Sequence, residues 1–326
     1  MLPPGSPRQL GAFLRPSLLA LSLLVCCLCP GPNAYSAEGG SGVYVLGLRS
    51  NGAGMTPPPG LFFSNQVFMY DGSFSGILEL DGGRLAGGVD TSVFVNIPTL
   101  IWVTPAEVMN ARLGFSLTAP YGRVGVDGFV TPILELSDDT TTFGDPALAA
   151  FLGWNSGNLH AQAGVTGYLP IGDYTEGALA NVARHRLAAD FYAAFTWLHP
   201  EWGIDVSNTV GITFNAENQA TNYKTGNEFH WEGAITKQLT ESFSVGLVGY
   251  YYKQLTGDRS PPAIHAILGD FKGEIAGIGA QIGYNFQIGP APVSTRLRYY
   301  HQFNATNHME GNSVFLSLSF PLAVSR

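Results

Sequence analysis

Apolar and polar residues alternate along most of the chain, in long stretches where every second residue is apolar. From residue 202 to residue 214, one side of an extended chain would carry Trp202, Ile204, Val206, Val210, Ile212 and Phe214. The intervening positions are mostly Asp, Ser, Thr and Gly. This period of two is typical of a β-strand with one apolar face, because successive side chains point to opposite faces. The same pattern recurs, with varying regularity, at 107–119, 159–169, 186–198, 228–239, 276–288, 296–304 and 313–320.

The length of these runs favours an all-β transmembrane antiparallel barrel, with a soluble β-sandwich as the alternative. Several runs alternate for ten residues or more, whereas strands of globular proteins have about five or six residues. Segments of about ten residues with one apolar and one polar face are typical of outer-membrane barrels. Beyond the N-terminus, no stretch has the ~18 consecutive apolar residues of a transmembrane helix. Aromatic residues near the run ends suit interfacial girdles, namely Trp154, Tyr168, Trp197, Trp202, Trp231 and residues 250–252.

The number of strands is predicted from the alternating segments. Thirteen candidates lie at 61–74, 89–103, 107–119, 123–135, 145–155, 158–169, 186–198, 201–215, 227–239, 243–255, 273–288, 293–304 and 313–321. Because bacterial single-chain barrels have an even number of strands, we predict about twelve strands, with fourteen as the alternative. Polar stretches at 170–185, 216–227 and 256–272 are predicted to be the long loops.

The N-terminal sixty residues divide into a leader and a segment rich in glycine and proline. Residues 1–37 resemble a secretory signal peptide, because Arg8 and Arg15 precede an apolar stretch that ends before small residues. All three cysteines lie in this leader, so we expect a mature chain without disulfides. Residues 38–60 include three consecutive prolines, which do not suit an interior strand. We predict that this segment lies in or near the barrel mouth, as a possible plug, and that the barrel spans 61–326.

Composition and charge narrow the choice of partners. Only 12% of the 326 residues are charged, against about 25% in soluble globular proteins. The chain has 16 basic residues, two of them in the leader, and 24 acidic ones. Loss of the leader would leave 14 basic against 24 acidic residues, a net charge of −10. Such a balance disfavours nucleic acid as a partner.

Charged residues on the polar faces of the predicted strands are candidates for lining the lumen. They are Arg112, His160, Asp190, Asp205, Glu228, His230, Glu232, Arg296 and Arg298. The arginines would pair with acids from other strands, which gives either a polar conducting path or an ion-pair network that closes the barrel. The residues Pro57, Pro58, Pro59, Leu61, Phe62 and Phe63 would form either a hydrophobic plug or a rigid turn into the first strand.

The sequence contains none of the common catalytic or metal-binding motifs. We find no P-loop, H-E-x-x-H or EF-hand pattern and expect no cofactor and no enzymatic activity. Glu228, His230 and Glu232 share one strand face, which would suit a metal ion, but a polar lumen predicts the same pattern and we expect no metal. Two alternatives to a transporter stay open. One is an integral outer-membrane hydrolase that uses Ser207 and His230, and the other is a structural or binding barrel without conduction.

Several short strings, ordered along the whole mature chain, carry a family resemblance. They are PPPGLFFSN at 57–65, GDP at 144–146, LGW at 152–154, GNLH at 157–160, YLPIGDY at 168–174, NAENQATNY at 215–223, GNEFH at 226–230, GYYYKQLTGD at 249–258 and EGNS at 310–313. Taken together they resemble the SphA-type proteins, the phenol meta-degradation (MetA-pathway) family of outer-membrane β-barrel transporters. The resemblance implies passive uptake of small hydrophobic or aromatic compounds across the bacterial outer membrane. It also implies outer-membrane lipid and the barrel-assembly machinery as partners, and it supplies no catalytic or ligand residues.

Overall fold

A computed structural model describes residues 42–80, 83–131, 134–259 and 272–324, which form fourteen β-strands. The leader predicted at 1–37 lies outside these residues. Within the described ranges, no helix is long and apolar enough to cross a membrane. The strands are β1 (Gly60–Leu80), β2 (Gly83–Val108), β3 (Ala111–Thr118), β4 (Tyr121–Thr131), β5 (Leu134–Phe143), β6 (Ala147–Ser156), β7 (Leu159–Tyr168), β8 (Ala188–His199), β9 (Ile204–Asn215), β10 (Glu228–Gln238), β11 (Phe243–Gln254), β12 (Glu274–Ile288), β13 (Ala291–Thr306) and β14 (Glu310–Val324).

The sheet closes into an antiparallel barrel with twelve strand positions. Closure comes from β1, which pairs with β14 on one side and with β2 on the other. Strands β3 and β4 share one position, because β2 pairs with β3 over Thr99–Val108 and with β4 over Ala86–Asn96. Strands β5 and β6 share the next position, since they pair with β4 and β3 respectively. The prediction of twelve strands is therefore confirmed for the barrel, with two extra strand segments.

Prolines interrupt the two shared positions. Pro120 lies between β3 and β4, and Pro146 lies between β5 and β6. Proline lacks the N–H that a ladder hydrogen bond needs, so pairing stops at both sites. Alternation did not reveal β5, because its segment reads Leu-Glu-Leu-Ser-Asp-Asp-Thr-Thr-Thr-Phe and has few apolar residues.

The two ends of the barrel differ in the length of their connections. Short turns follow β2, β6, β8, β10 and β12, at the end where β1 begins and β14 ends. Long connections follow β7, β9 and β11 at the opposite end. Because outer-membrane barrels have short periplasmic turns and longer extracellular loops, the long connections mark the extracellular end. There β1 and β2, with 21 and 26 residues, extend well beyond the ~10 residues that span a membrane.

Exposure separates the two faces of the strands as the alternation predicted. Ile282 is 47% exposed and its neighbour Gln281 is 3% exposed. Leu297 and Tyr299 are 42% and 46% exposed, whereas Arg298 between them is 2% exposed. A register slip of one residue would exchange these two sets. The outward face is therefore the apolar, lipid-facing one.

Three of the predicted girdle tyrosines face the interior instead. Tyr250 and Tyr252 are 2% and 6% exposed, and Tyr168 lies opposite the buried Ala147 and Ala188. The girdle prediction is wrong for these three residues. The physical reason is that a phenol can satisfy its hydroxyl in the interior, as Tyr252 does by donating to Glu228 Oε1 at 2.7 Å.

Candidate functional site

Residues 42–59, which precede β1, run through the interior of the barrel and are called the lumen segment below. Three backbone hydrogen bonds of the turn type shape it. The Leu48 N–H donates to the Val45 carbonyl at 3.2 Å and closes the first turn, and the Ala53 N–H donates to the Ser50 carbonyl at 3.2 Å and closes the second, which the bond from the Met55 N–H to the Gly52 carbonyl at 2.9 Å extends. The third residue of the first and second turns is a glycine with positive φ, 87° at Gly47 and 74° at Gly52. Turns of this kind require a residue that tolerates positive φ at their third position.

The first turn is held between an acidic and a basic side chain of the barrel wall. Glu232 on β10 accepts the N–H groups of Gly47 and Arg49 at 2.6 Å and 2.8 Å. Arg298 on β13 donates to the carbonyls of Gly47 and Leu48 at 2.7 Å and 3.1 Å. Both wall side chains are 2% exposed. Hydrogen bonds to ionised groups are stronger than neutral ones, so this pair is the main polar anchor of the turn.

Hydroxyl groups of the wall bind the lower part of the lumen segment. The Gly52 N–H donates to Ser207 Oγ at 2.8 Å, and the Gly54 N–H donates to Thr196 Oγ1 at 2.9 Å. The Thr56 carbonyl accepts Asn155 Nδ2 at 2.8 Å. The segment therefore contacts the wall along its length, and it ends where β1 begins at the periplasmic edge.

A charged wall on β8, β9 and β10 faces the upper part of the lumen segment. His230 Nε2 lies 2.9 Å from Asp190 Oδ1, and Thr213 Oγ1 donates to the same carboxylate oxygen at 2.9 Å. The ring of Tyr44 stacks on His230 with 3.8 Å between centroids. Glu228 accepts Asn215 Nδ2 at 2.8 Å. These groups are buried, so their polar atoms depend on one another rather than on bulk water.

The opposite wall, on β14, β1 and β2, carries apolar side chains on its inward face, interspersed with polar ones such as Ser64, Gln66 and Ser317. Phe68 pairs with Phe315 on one side and with Val95 on the other, so these three side chains share a face. Two strand residues lower, the same face of β1 and β2 continues through Gln66 and Ile97. This apolar stripe comprises Phe62, Phe68, Val93, Val95, Ile97, Ile101, Val103 and Phe315. An inward apolar stripe departs from the polar lumen that is usual in membrane barrels.

The other predicted lumen residues lie on the inward face as well. Arg112 donates to the Thr56 carbonyl at 3.3 Å, and His160 Nδ1 lies 2.7 Å from Asn155 Oδ1. Asp205 accepts Ser207 Oγ at 2.6 Å. Arg296 is half-buried, two residues from Arg298 on the same face.

Arg298 binds backbone carbonyls and an amide side chain, rather than the acid from another strand that was predicted. Its guanidinium donates to two carbonyl oxygens of the lumen segment and to Gln66. The acid Glu232 instead accepts N–H groups of the same segment. The peptide groups of an extended segment have no strand partner and need donors and acceptors from the wall. The backbone of the turn therefore lies between Glu232 and Arg298 and is hydrogen-bonded to both.

The predicted plug residues divide at Gly60, where β1 begins. Pro57, Pro58 and Pro59 close the lumen segment, and the Pro57 carbonyl accepts a hydrogen bond from Arg112 at 3.4 Å. The plug prediction is wrong for Leu61, Phe62 and Phe63, which lie in β1. Phe62 contacts the cluster around Val103, and Phe63 contacts Phe320 with 5.5 Å between ring centroids. The turn at residues 45–48 lies within the segment 38–60 that was predicted as a possible plug, but none of its four residues was among the plug candidates, although a glycine at its third position is a recognisable turn signal.

The geometry does not support the hydrolase alternative. Ser207 pairs with Ala234, and His230 pairs with Gly211, four residues further along β9. At ~3.3 Å per residue this is about 13 Å, too far for a hydrogen bond between nucleophile and base. Among the described residues, no three or more His, Cys, Asp or Glu side chains are grouped to hold a metal ion.

Two aspartates tether the connection between β7 and β8 at the extracellular end. Asp145 accepts the N–H groups of Gly172, Arg184 and His185 at 3.0, 2.7 and 2.8 Å. Asp138 accepts those of Leu179 and Ala180 at 2.9 and 3.0 Å. A carboxylate that accepts several backbone N–H groups is a strong local anchor. This connection is therefore fixed against the wall formed by β5 and β6.

Comparison with known proteins identifies similar sequences and folds. The family described as "Putative MetA-pathway of phenol degradation" matches residues 78–318. No curated protein matches the chain. The crystal structure of an outer membrane channel from Pseudomonas putida F1 is 16% identical, with 82% of this chain and 97% of that chain covered and a TM-score of 0.66. A FadL homologue from Pseudomonas aeruginosa is 12% identical over 80% of this chain and 88% of its own, with a TM-score of 0.38.

Proposed function

The chain belongs to the phenol-degradation family that matches residues 78–318, and we propose that it is a channel for passive uptake of small hydrophobic or aromatic compounds. Its closed barrel with a lipid-facing apolar surface is that of a bacterial outer-membrane protein. Passive movement of a solute requires a path with suitable surface and no reactive side chain. The separation of Ser207 from His230 along the sheet favours transport over hydrolysis.

The observation that carries this proposal is the inward apolar stripe. A solute without charge gains little from a lumen lined by charged groups, but burial of its surface against apolar side chains is favourable. Phe68, Val93 and Ile101 of the stripe are half-buried, so part of their surface is open to the interior. Val45 and Leu46 of the lumen segment pack against the cluster that contains Phe315 of the stripe, and they are half-buried too. Apolar surface of both the wall and the lumen segment therefore borders the interior.

The lumen segment supports a preference for small solutes. It crosses the interior and binds walls on several sides, through Glu232, Arg298, Ser207 and Thr196. A segment held in this way narrows the space for passage. We infer that bulky compounds are excluded unless the segment moves.

Substitutions in the stripe test the proposal. Val93→Thr keeps side-chain size nearly constant, Ile101→Thr shortens the side chain by one carbon, and both add a hydroxyl group to the path. Each change weakens the contact with an apolar solute by about 1 kcal/mol, so we expect initial uptake to fall by about fivefold or more. Uptake of radiolabelled toluene is measured in cells that lack the native protein and express each variant.

The matched control is Thr209→Val on the charged wall. Thr209 is 1% exposed and its hydroxyl has no hydrogen-bond partner among the described residues, so the change is expected to be neutral. Equal uptake by all three proteins would show that the stripe is not the path. No uptake and no conductance by the wild-type protein would instead favour a structural or binding barrel.

A further inference from the structure

Four aromatic rings of the wall form a contiguous surface against the first turn of the lumen segment. They are Phe68, Tyr250, Tyr300 and Phe315, called the aromatic seat here. The ring centroids of Phe68 and Phe315 are 4.8 Å apart, and those of Tyr250 and Tyr300 are 5.1 Å apart. Tyr300 meets Phe315 edge-on at 6.0 Å. Together these contacts link the rings of β1, β11, β13 and β14 into one surface.

The occupant of this seat is a piece of the chain that presents only aliphatic side chains. Val45, Leu46 and Leu48 pack against the seat. Three rings of the seat are at most 2% exposed, whereas the three aliphatic side chains are half-buried. The turn therefore covers the rings and keeps part of its own surface open to the interior. A solute in the lumen can reach the edge of this contact.

Polar groups at the edge of the seat bind the peptide groups of the turn. Arg298 donates to the carbonyls of Gly47 and Leu48, and the Tyr300 hydroxyl donates to the Gly47 carbonyl at 3.4 Å. Glu232 accepts the Gly47 N–H. The seat thus offers donors and an acceptor beside an aromatic surface.

The turn does not satisfy all of these groups. Arg298 is only 2% exposed, and its Nε is buried without a hydrogen-bond partner among the described residues. The Tyr300 contact at 3.4 Å is also long for an O–H donor. Buried polar atoms without partners are costly. A ligand with an oxygen near Arg298 Nε and the Tyr300 hydroxyl would form hydrogen bonds that the turn does not form well.

We propose that the aromatic seat is a binding site for a small hydroxylated aromatic compound. In the absence of this compound, the turn at residues 45–48 occupies the site, and the compound displaces the turn when it binds. The ring of the solute replaces the aliphatic side chains on the seat. Its hydroxyl accepts from Arg298 or Tyr300 and donates to Glu232, which replaces the carbonyl and N–H groups of Gly47. This inference rests on the proposed function, since it names the solute class and the step that opens the path.

Displacement of the turn couples binding to opening. The solute and the turn compete for one surface, so any change that weakens the turn raises the apparent affinity for the solute. A bound solute also removes the turn from the path. The channel is then opened by the compound that it transports.

A cysteine reporter tests displacement directly. All three cysteines of the chain precede residue 30, so the mature protein made with Leu46→Cys is expected to carry a single thiol. The protein is placed in lipid nanodiscs, and the rate of maleimide labelling is followed as phenol is added. We expect labelling of Leu46→Cys to rise saturably by about fivefold or more, as for a coupling of about 1 kcal/mol.

Ala53→Cys in the second turn is the matched control, because that turn binds Ser207 and Thr196 rather than the aromatic seat. Its labelling rate should stay constant, and toluene should act on Leu46→Cys only at much higher concentration than phenol. An equal rise at both positions would indicate general loosening and would overturn the proposal. So would a constant rate at both positions in a protein that still takes up phenol in cells. Loss of uptake by the wild-type protein would instead overturn the proposed function.

Calorimetric titration with phenol tests the site without the reporter. Tyr300→Phe removes a hydroxyl that contacts the turn only at 3.4 Å, so the turn is little weakened, and phenol should bind about tenfold more weakly while toluene is unaffected. Leu48→Ala weakens the resident turn, so phenol should bind about tenfold more tightly. Weaker binding to Leu48→Ala, or equal losses for phenol and toluene in Tyr300→Phe, would contradict displacement from this seat.

Discussion

Gly47→Ala is expected to release the first turn of the lumen segment and leave the barrel intact. The substitution acts in two ways. Gly47 has φ of 87°, a conformation that L side chains rarely adopt. A Cβ at this position would lie 2.9 Å from a ring carbon of Tyr300 and 3.0 Å from one of Phe315. Both rings belong to the packed aromatic seat and have little room to move.

The magnitude follows from these two effects. Positive φ costs alanine about 1–2 kcal/mol, and overpacking against fixed rings costs about 1–3 kcal/mol more. Gly52→Ala is the matched control, since Gly52 has φ of 74° but its Cβ would meet only Met55 Sδ at 3.5 Å. The control therefore keeps the backbone cost and omits the clash. The difference of about 1–3 kcal/mol corresponds to a 5–150-fold larger released population in Gly47→Ala.

Single-channel conductance in planar bilayers measures the release, because a displaced turn widens the path. We expect larger or more frequent openings for Gly47→Ala than for Gly52→Ala, and the fewest for the wild-type protein. Heat-modifiable migration on gels should be the same for all three, since the barrel strands are unchanged. Equal conductance of the two variants, or a larger effect of Gly52→Ala, would refute the account of the turn packed on the aromatic seat.

Three further predictions concern register, selectivity and pH. Ile282→Arg should lower the free energy of unfolding of the barrel by about 2–4 kcal/mol, because residue 282 faces lipid, and Gln281→Arg should lower it by less. Unfolding in detergent micelles measures both, and equal losses would mean that the strand register is wrong by one residue. Arg296→Gln should shift the reversal potential under a salt gradient toward cations. Arg298→Gln should mainly raise conductance, because it frees the turn. If neither variant changes the reversal potential or the conductance, neither arginine lies on the conducting path. Burial lowers the pKa of His308, in the connection between β13 and β14, below its ordinary value of 6.5. The neutral form is favoured, so local stability should be lost as pH falls through and below about 6.5. Faster amide exchange at acidic pH that persists in His308→Gln would contradict this assignment.

Alternation was sufficient to predict which face each strand residue takes. Burial of one face enforces a period of two, and a slip would place Arg298 in lipid and Leu297 in the lumen. The same rule misplaced Tyr250 and Tyr252, because aromatic residues suit both a lipid girdle and an interior with hydrogen-bond partners. β5 was missed because residues 137–142 are all polar, so the segment has no sustained alternation of apolar and polar positions.

The course of the lumen segment was much harder to predict. Its anchors join residues far apart in sequence, 185 positions for Gly47 and Glu232 and 251 for Gly47 and Arg298. The segment contributes mainly backbone N–H and carbonyl groups to these contacts, and every residue type except proline carries both. Glu232 and Arg298 could be placed in the lumen from the alternation alone. Their partners could not, because the pattern of the segment does not record which peptide groups they bind.

Initial uptake of labelled aromatic compounds by cells tests the central claim most directly. Cells that lack the protein are compared with the same cells expressing it, at low concentrations of phenol, toluene and a sugar of similar mass. The account predicts faster uptake of both aromatic compounds on expression, with no change for the sugar. Equal uptake of the aromatic compounds with and without the protein, in cells where the folded barrel is present in the outer membrane, would contradict it.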